Sequence, residues 1–317
     1  MNILFIDTAH PILQQLLEAD GHVCVDGSKL SRPEILKSIH EYEGVVIRSR
    51  IRVDRELLDA ATNLRFIARA GAGMESIDVE YAKQKKIACL NSPEGNRDAV
   101  GEHALAMILS LFNKILKADR EVREGKWIRE GNRGVELQGK TVGIIGYGNM
   151  GKSFAKKLSG FECSVLAYDK YLENFSDAHA KESSMQEIFE KADILSLHIP
   201  LTGETEFLVN DTFINSFRKN IYIINTARGK CLKTDELVEN MKSGKVLGVC
   251  LDTVEYEETS FEEISALKSQ TPGSDSWSYL IESDRAVLSP HIAGWTFESH
   301  EKISRVLYEK IRRQFSK

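Results

Sequence analysis

Gly143-Ile144-Ile145-Gly146-Tyr147-Gly148-Asn149-Met150-Gly151 is the stretch that decides the fold. It holds a Gly-x-Gly-x-x-Gly turn in the middle of 317 residues. Lys140-Thr141-Val142 before it starts a strand, and Lys152-Ser153-Phe154-Ala155-Lys156-Lys157-Leu158 after it is a good helix. Strand, glycine turn and helix are the context in which this motif reads as a dinucleotide site. Gly146 allows the tight turn, Gly148 lets the backbone approach a pyrophosphate, and Gly151 lets the helix pack on the strand. The helix N-terminus then faces the phosphates. Ser164-Val165-Leu166-Ala167-Tyr168-Asp169 follows as a strand ending on an acid about twenty residues past the glycines, the spacing that grips a ribose 2′-hydroxyl. An acid there repels a 2′-phosphate, so NAD is expected over NADP, although Lys170 stands beside it. A dinucleotide domain that begins near residue 140 leaves a long segment in front, which is predicted to be a second domain facing the cofactor.

Outward from this turn, short apolar runs alternate with helical spacing. Ile3 to Ile6, Val45 to Ile47, Leu64 to Ala68 and Ile87 to Leu90 read as strands, with Ile12-Leu13-Leu16-Leu17 and Ile35-Leu36-Ile39 as helices between them. Asp193 to Ile199, Ile221 to Asn225, Val246 to Leu251 and Ala286 to Ser289 resume the repeat beyond the turn. A βα repeat implies parallel sheets covered by helices on both faces. Asp98 to about Glu124 reads as one long helix. It is apolar on most sides through Ala104-Leu105-Ala106-Met107-Ile108-Leu109, so it belongs in a core or in a subunit interface. Glu298 to Phe315 is an amphipathic last helix that returns to the first domain. Glu257 to Asp284 is poorly patterned and reads as a long loop with one helical turn.

Composition excludes several classes. Charged residues are 28% and apolar ones 42%, as in ordinary globular chains. A net charge of −5 gives no reason to expect nucleic acid or an anionic membrane as partner. No apolar run reaches the length of a membrane span, and Met1-Asn2-Ile3-Leu4-Phe5-Ile6 reads as a strand, not a signal peptide. The five cysteines lack metal spacing. Several lie in apolar runs, so free buried thiols, a cytoplasmic location and no metal are expected.

Three polar residues fall at or just beyond the C-terminal ends of later strands, where open α/β sheets bind their ligands. Arg228 follows Ile223-Ile224-Asn225-Thr226-Ala227, Glu257 follows Leu251-Asp252, and His291 follows Leu288-Ser289-Pro290. An arginine holds a carboxylate bidentately, a histidine exchanges protons near neutral pH, and a carboxylate on the second imidazole nitrogen orients the ring. Such a set beside a nicotinamide suits oxidation of an alcohol flanked by a carboxylate. Taken singly, each is as compatible with a surface cation, a loop histidine and one acid among several.

The motifs Asn225-Thr226-Ala227-Arg228-Gly229, Leu251-Asp252-Thr253-Val254-Glu255-Tyr256-Glu257 and Ser289-Pro290-His291-Ile292-Ala293-Gly294 follow the glycine turn in order. In this combination the chain resembles the D-isomer-specific 2-hydroxyacid dehydrogenases over nearly its whole length. The resemblance implies two doubly wound parallel-sheet α/β domains, a Rossmann NAD-binding domain inserted into a flavodoxin-like substrate domain. The substrate domain is expected at residues 1–98 with 293–317 returning to it, and the NAD domain at 99–292. It implies Arg228 as binder of the substrate carboxylate and keto group, Glu257 as orienting acid and His291 as general acid–base. It places Asp252 near the nicotinamide amide. Asn149, Met150, His198, Ile199, Pro200 and Thr226 would lie along the cofactor together with Gly146, Gly148, Gly151 and Asp169. It also implies a homodimer, with Ala104, Met107, Ile108 and Leu111 between the two copies.

Within the family the likeness is greatest to members that oxidise D-3-phosphoglycerate in serine biosynthesis. Val46-Ile47-Arg48-Ser49, Ala68-Arg69-Ala70-Gly71-Ala72-Gly73 and Asn91-Ser92-Pro93 carry it. It implies Arg48, Ser49 and Arg69 around the substrate phosphate, the Ala72-Gly73 amides on the carboxylate, and Arg129 reaching across the dimer. Reduction of glyoxylate or hydroxypyruvate is the alternative of the same chemistry, and an NAD-sensing corepressor-like binding protein the alternative of another class. The chain departs from the family pattern after Glu257, where Glu258 replaces a proline and the path to His291 is longer. Glu255 is therefore a rival for the orienting role. With the sequence ending at Lys317, serine feedback is not expected.

Overall fold

Alternating side chains build the first sheet. Ile3 and Phe5 point to one face of β1 (Asn2–Phe5) and Leu4 to the other, as the two-residue period of a strand dictates. β2 (Val23–Asp26), β3 (Gly44–Ile47), β4 (Phe66–Arg69) and β5 (Ala88–Leu90) complete it, all parallel, in the order β2-β1-β3-β4-β5. That order is the flavodoxin-like one. α1 (Pro11–Ala19), α2 (Arg32–Ser38), α3 (Arg55–Ala60) and α4 (Val79–Gln84) connect the strands. One face of the sheet packs on Ile35, Leu57 and Leu58. The other packs on Leu13 and Leu17 of α1 and on Ile303, Leu307 and Ile311 of the C-terminal helix Phe297–Phe315.

The computed structural model describes residues 1–257 and 274–315. It divides into two units, Met1–Arg97 with Trp295–Lys317, and Asp98–Gly294. The sequence boundaries at residues 98 and 293 thus lie beside change-overs at Arg97/Asp98 and Gly294/Trp295.

The second unit begins in α5 (Pro93–Phe112), followed by α6 (Ile115–Arg123). Its sheet contains β6 (Thr141–Ile145), β7 (Ser164–Tyr168), β8 (Lys181–Glu182), β9 (Ile194–Leu197), β10 (Ile221–Asn225), β11 (Val246–Leu251) and β12 (Ala286–Leu288). The strands are parallel in the order β12-β11-β10-β9-β6-β7-β8. The order reverses between β6 and β9, which is where a doubly wound sheet opens its binding crevice. α7 (Asn149–Lys157), α8 (Met185–Lys191), α9 (Asp211–Asn215), α10 (Thr234–Lys242) and α11 (Ser274–Glu282) are the remaining helices.

Three expectations are corrected. The single helix from Asp98 to Glu124 is two helices meeting at a 60° bend. The break is at Lys114, which is left-handed with φ +51°. Ala104, Met107, Ile108 and Leu111 are buried in the chain's own core against Val142, Ile144, Tyr147 and Phe154, so they are not available to a second copy. The exposed apolar side chains lie further on, at Ile115, Leu116, Val122 and Trp127. α11 replaces part of the expected loop, because Trp277 and Leu280 give the segment a face that buries in the core. Residues 258–273, the rest of that loop, lie outside the described residues. Among the described residues no single helix is long and apolar enough to cross a membrane.

Candidate active site

The glycine turn leaves β6 with Gly146 at φ +91°, a conformation only glycine adopts without strain. A Cβ on Gly146 would meet the His198 carbonyl oxygen at 2.5 Å and Ile199 Cγ2 at 3.0 Å, so the segment after β9 lies directly on the turn. A Cβ on Gly151 would stand 2.0 Å from the Gly146 carbonyl oxygen, so the start of α7 is seated on the turn as well. At Gly148 the result is opposite: none of the described residues comes within 4 Å of a built Cβ. No side chain caps α7, and Asn149 and Met150 are half-buried in its first turn. An open backbone at the positive end of a helix fits a pyrophosphate.

Asp169 stands just past β7 with its carboxylate fixed on this turn. One oxygen accepts the Tyr147 N–H at 2.8 Å, and the other accepts those of Tyr171 and Leu172 at 2.9 and 3.2 Å. The oxygen on Tyr147, with one bond made, keeps lone-pair capacity toward a ribose hydroxyl. Lys170 points to Glu204 and pairs with it. Thr226, just past β10, has a buried hydroxyl without a hydrogen-bond partner among the described residues, a group suited to an added ligand. The residues around the turn therefore fit NAD.

His198 contributes differently from its neighbours. Its ring tilts on Phe154 with centroids 5.5 Å apart, and Nε2 is 2.9 Å from Ser196 Oγ. Burial pushes the imidazole down to about 3, so it is neutral at working pH. The ring thus supports the turn from behind, Ile199 touches it, and Pro200 is exposed beyond.

The catalytic candidates are wired through three strand ends. Asn225, at the end of β10, folds the next turn: its amide donates to the Arg228 carbonyl at 3.0 Å and its Oδ1 accepts the Ala227 N–H at 3.1 Å. A Cβ on Gly229 would stand 1.9 Å from the Val254 carbonyl oxygen, so this turn lies directly on the segment after β11. Arg228 is half-buried there and donates from Nη1 to the Ala227 carbonyl at 2.6 Å. Glu257 Oε1 accepts the Val254 N–H at 2.8 Å, and its Oε2 is 2.9 Å from His291 Nδ1. Glu255 turns away and accepts the Thr234 N–H at 2.8 Å at the start of α10. Of the two rival acids, the structure pairs Glu257 with His291.

His291 is left-handed with φ +54°, which costs a non-glycine residue about 1–2 kcal/mol. Asp252 holds it there. The Asp252 carbonyl accepts the His291 N–H at 2.8 Å. The carboxylate accepts the N–H groups of Ile292 and Ala293 at 2.9 and 2.8 Å and the Ser289 hydroxyl at 2.6 Å. Burial pushes the Asp252 carboxyl up, but the hydrogen bonds from His103, Ser289, Ala293 and Ile292 outweigh it and hold the group below the usual carboxylate range. Asp252 is 1% exposed, with its oxygens on the His291 segment. His103 of α5, which the sequence reading passes over, joins here: Nε2 is 2.9 Å from Ser289 Oγ and 3.5 Å from Asp252 Oδ1.

The first unit carries its own polar strand ends. The N–H groups of Arg48, Ser49 and Arg50 converge on Asp7 Oδ2 at 2.6, 3.1 and 3.3 Å. The Arg48 guanidinium lies 4.2 Å above the Trp295 ring. Ile47 pairs with Arg69 in the β3–β4 register, so Arg48 and Arg69 leave neighbouring strands at the same edge. A Cβ on Gly71 would stand 1.5 Å from Arg69 Nη1, so the guanidinium lies across that glycine. The Asn91 amide donates to the Ala72 carbonyl at 2.6 Å and Ser92 N–H to the Gly71 carbonyl at 2.9 Å, holding the Ala72-Gly73 loop beside it. Arg129 belongs to the second unit, exposed on the segment after α6.

The family model for the D-isomer-specific 2-hydroxyacid dehydrogenase NAD-binding domain matches residues 105–293. D-3-phosphoglycerate dehydrogenase of Archaeoglobus fulgidus is 35% identical over 284 residues, covering 89% of this chain and 51% of that one. Hydroxypyruvate reductase of Thermotoga maritima is 34% identical over 297 residues, covering 94% of this chain and 92% of that one. The chain thus spans about half of the first relative and nearly all of the second. The crystal structure of D-lactate dehydrogenase from Aquifex aeolicus, complexed with NAD and lactic acid, matches with TM-score 0.83 at 26% identity, over 99% of this chain and 95% of that one. The chain belongs to the D-isomer-specific 2-hydroxyacid dehydrogenases, a family of NAD-dependent oxidoreductases.

Proposed function

We propose that this chain transfers a hydride reversibly between C2 of a D-2-hydroxyacid and NAD, with D-3-phosphoglycerate and 3-phosphohydroxypyruvate as the substrate pair. The observation that carries the chemistry is the 2.9 Å contact between Glu257 and His291 Nδ1. With Glu257 on Nδ1, Nε2 is the nitrogen that gives a proton to the keto oxygen during reduction and takes it back during oxidation. Arg228 holds the substrate carboxylate by charge-assisted hydrogen bonds. Bound NAD supplies or accepts the hydride at the nicotinamide. Arg48 and Arg69, at neighbouring strand ends, supply cations for a phosphate, with Ser49 beside them and Arg129 reaching in from a second copy, while the Ala72-Gly73 amides face the carboxylate. The dimer face we propose is the exposed apolar side of α6 with Trp127. A reducing compartment, the cytoplasm, suits five free cysteines.

Reduction of hydroxypyruvate or glyoxylate is the second reading, favoured by the 92% coverage of the hydroxypyruvate reductase. One experiment separates the readings: NADH oxidation over phosphohydroxypyruvate, hydroxypyruvate, glyoxylate and pyruvate. The highest kcat/KM is expected on phosphohydroxypyruvate. A higher value on hydroxypyruvate or glyoxylate selects the second reading. NADH binding without turnover on any of the four would make the chain a binding protein, and no NADH binding would refute the family's cofactor for it.

A further inference from the structure

We propose that His103 is a positioning residue for His291, acting through Ser289 and Asp252; this rests on His291 being the proton donor. The direction of the hydrogen bonds follows from the distances. Ser289 Oγ is 2.6 Å from Asp252 Oδ1. An ionised carboxylate only accepts, so the serine proton points there. His103 Nε2, 2.9 Å from Ser289 Oγ, must then bring its own proton. The chain runs from His103 Nε2–H to Ser289 Oγ–H to Asp252 Oδ1.

Asp252 in turn holds three successive backbone N–H groups, His291 through its carbonyl and Ile292 and Ala293 through its carboxylate. Those three bonds over-determine the left-handed backbone at His291, as a strained residue at a functional site requires. Ser289 and Asp252 both belong to the strand ends that carry the loop. His103 comes from elsewhere, on a helix with little freedom to shift. A Cβ on Gly101 would stand 2.7 Å from Ser153 Oγ, and one on Gly248 would stand 3.0 Å from Leu111 Cδ2, so α5 is seated on α7 and on β11. The imidazole therefore references the His291 loop to a core helix. Without it, the Ser289 hydroxyl is free to turn away from Asp252 and the loop loses its outside anchor.

The test uses the full chain with His103→Leu, His103→Asn and His103→Gln, each also in a His291→Asn background. Gln places an N–H close to where Nε2 stands; Asn is too short and Leu has no donor. kcat for ketoacid reduction, NADH affinity by fluorescence and thermal midpoint are measured. A hydrogen bond of this class contributes about 0.5–1.5 kcal/mol, so Leu and Asn should lower kcat by roughly threefold to tenfold. NADH affinity should stay close to wild type and Gln should recover most of the rate. In the His291→Asn background, where no proton donor remains to be positioned, the three substitutions should have no further effect on kcat. Wild-type kcat in the Leu and Asn variants, a Gln variant as slow as Asn, parallel loss of NADH affinity, or full additivity with His291→Asn would each overturn the proposal. Near wild-type turnover of His291→Asn alone would instead refute the proton-donor role on which it rests.

Discussion

The carboxyl edges of the two sheets hold their polar side chains in different ways. At the seven-stranded sheet, Arg228, Glu257 and His291 sit on turns pressed together so closely that Gly229 has no room for a methyl group. Asp252 fixes the backbone of the histidine and of the two residues after it. At the five-stranded sheet, the backbone is equally well held by Asp7 and Asn91, and the arginine heads rest on an aromatic ring and on a glycine. Arg48 rests on the half-exposed face of Trp295, which is 57% exposed, and Arg69 lies across a glycine. A cation–π contact at an exposed site contributes only about 0.5–1 kcal/mol. Under the function proposed above this is a division of tasks: the chemistry rests on preorganised geometry at one edge, and the other edge supplies the cations that choose among substrates.

That division can be broken by substitutions on each edge. The largest effect belongs to the rigid one. His291→Asn should lower kcat by on the order of a hundredfold or more and leave NADH affinity unchanged, since the glycine turn is intact. Equal loss of both in steady-state kinetics and fluorescence titration would mean that the histidine holds the unit together instead. Next comes Arg69→Ala, which removes a charge-assisted contact of about 1.5–3 kcal/mol. KM for phosphohydroxypyruvate should rise by roughly tenfold to a hundredfold relative to KM for hydroxypyruvate. A uniform rise on both substrates would show that Arg69 only props the Gly71 loop.

The smallest effect is on stability. Burial lowers the His198 imidazole to about 3 in the folded chain, while the unfolded chain takes up that proton near pH 6.5. The contribution is therefore fully present above about pH 6.5 and is lost as pH falls toward 3, at up to about 1.4 kcal/mol per pH unit. Urea unfolding at pH 7 and pH 5 should show this slope, and His198→Phe should flatten it. An unchanged slope in the variant would place the acid sensitivity elsewhere.

What was legible in the sequence followed from what is local. The glycine turn, the alternating strands and the Ser289-Pro290-His291 segment each declare themselves within a few residues. β2 escaped because Val23-Cys24-Val25-Asp26 lies at an edge, mostly half-buried or exposed, and shows no strong pattern. The break at Lys114 escaped because Asn113-Lys114 interrupts neither the apolar spacing nor the helix-forming composition. The apolar side of α5 was legible as buried, but apolarity alone cannot distinguish the chain's own core from a second copy. Glu255 and Glu257 are two residues apart in one segment, and only the Thr234 N–H, 21 residues away, shows where the first is engaged. His103 and Ser289 are 186 residues apart, so nothing local marks their contact.

The choice between those two acids is also where the central claim is most exposed: that the chemistry belongs to a preorganised Glu257–His291 pair. Glu257→Gln and Glu255→Gln should be compared by kcat for ketoacid reduction, with NADH affinity measured on both. An acid that orients a catalytic histidine contributes at least about tenfold to turnover. Glu257→Gln should show that loss with NADH affinity unchanged, and Glu255→Gln should stay near wild type. Loss of turnover in Glu255→Gln with Glu257→Gln unaffected, or no loss in either, would contradict the account.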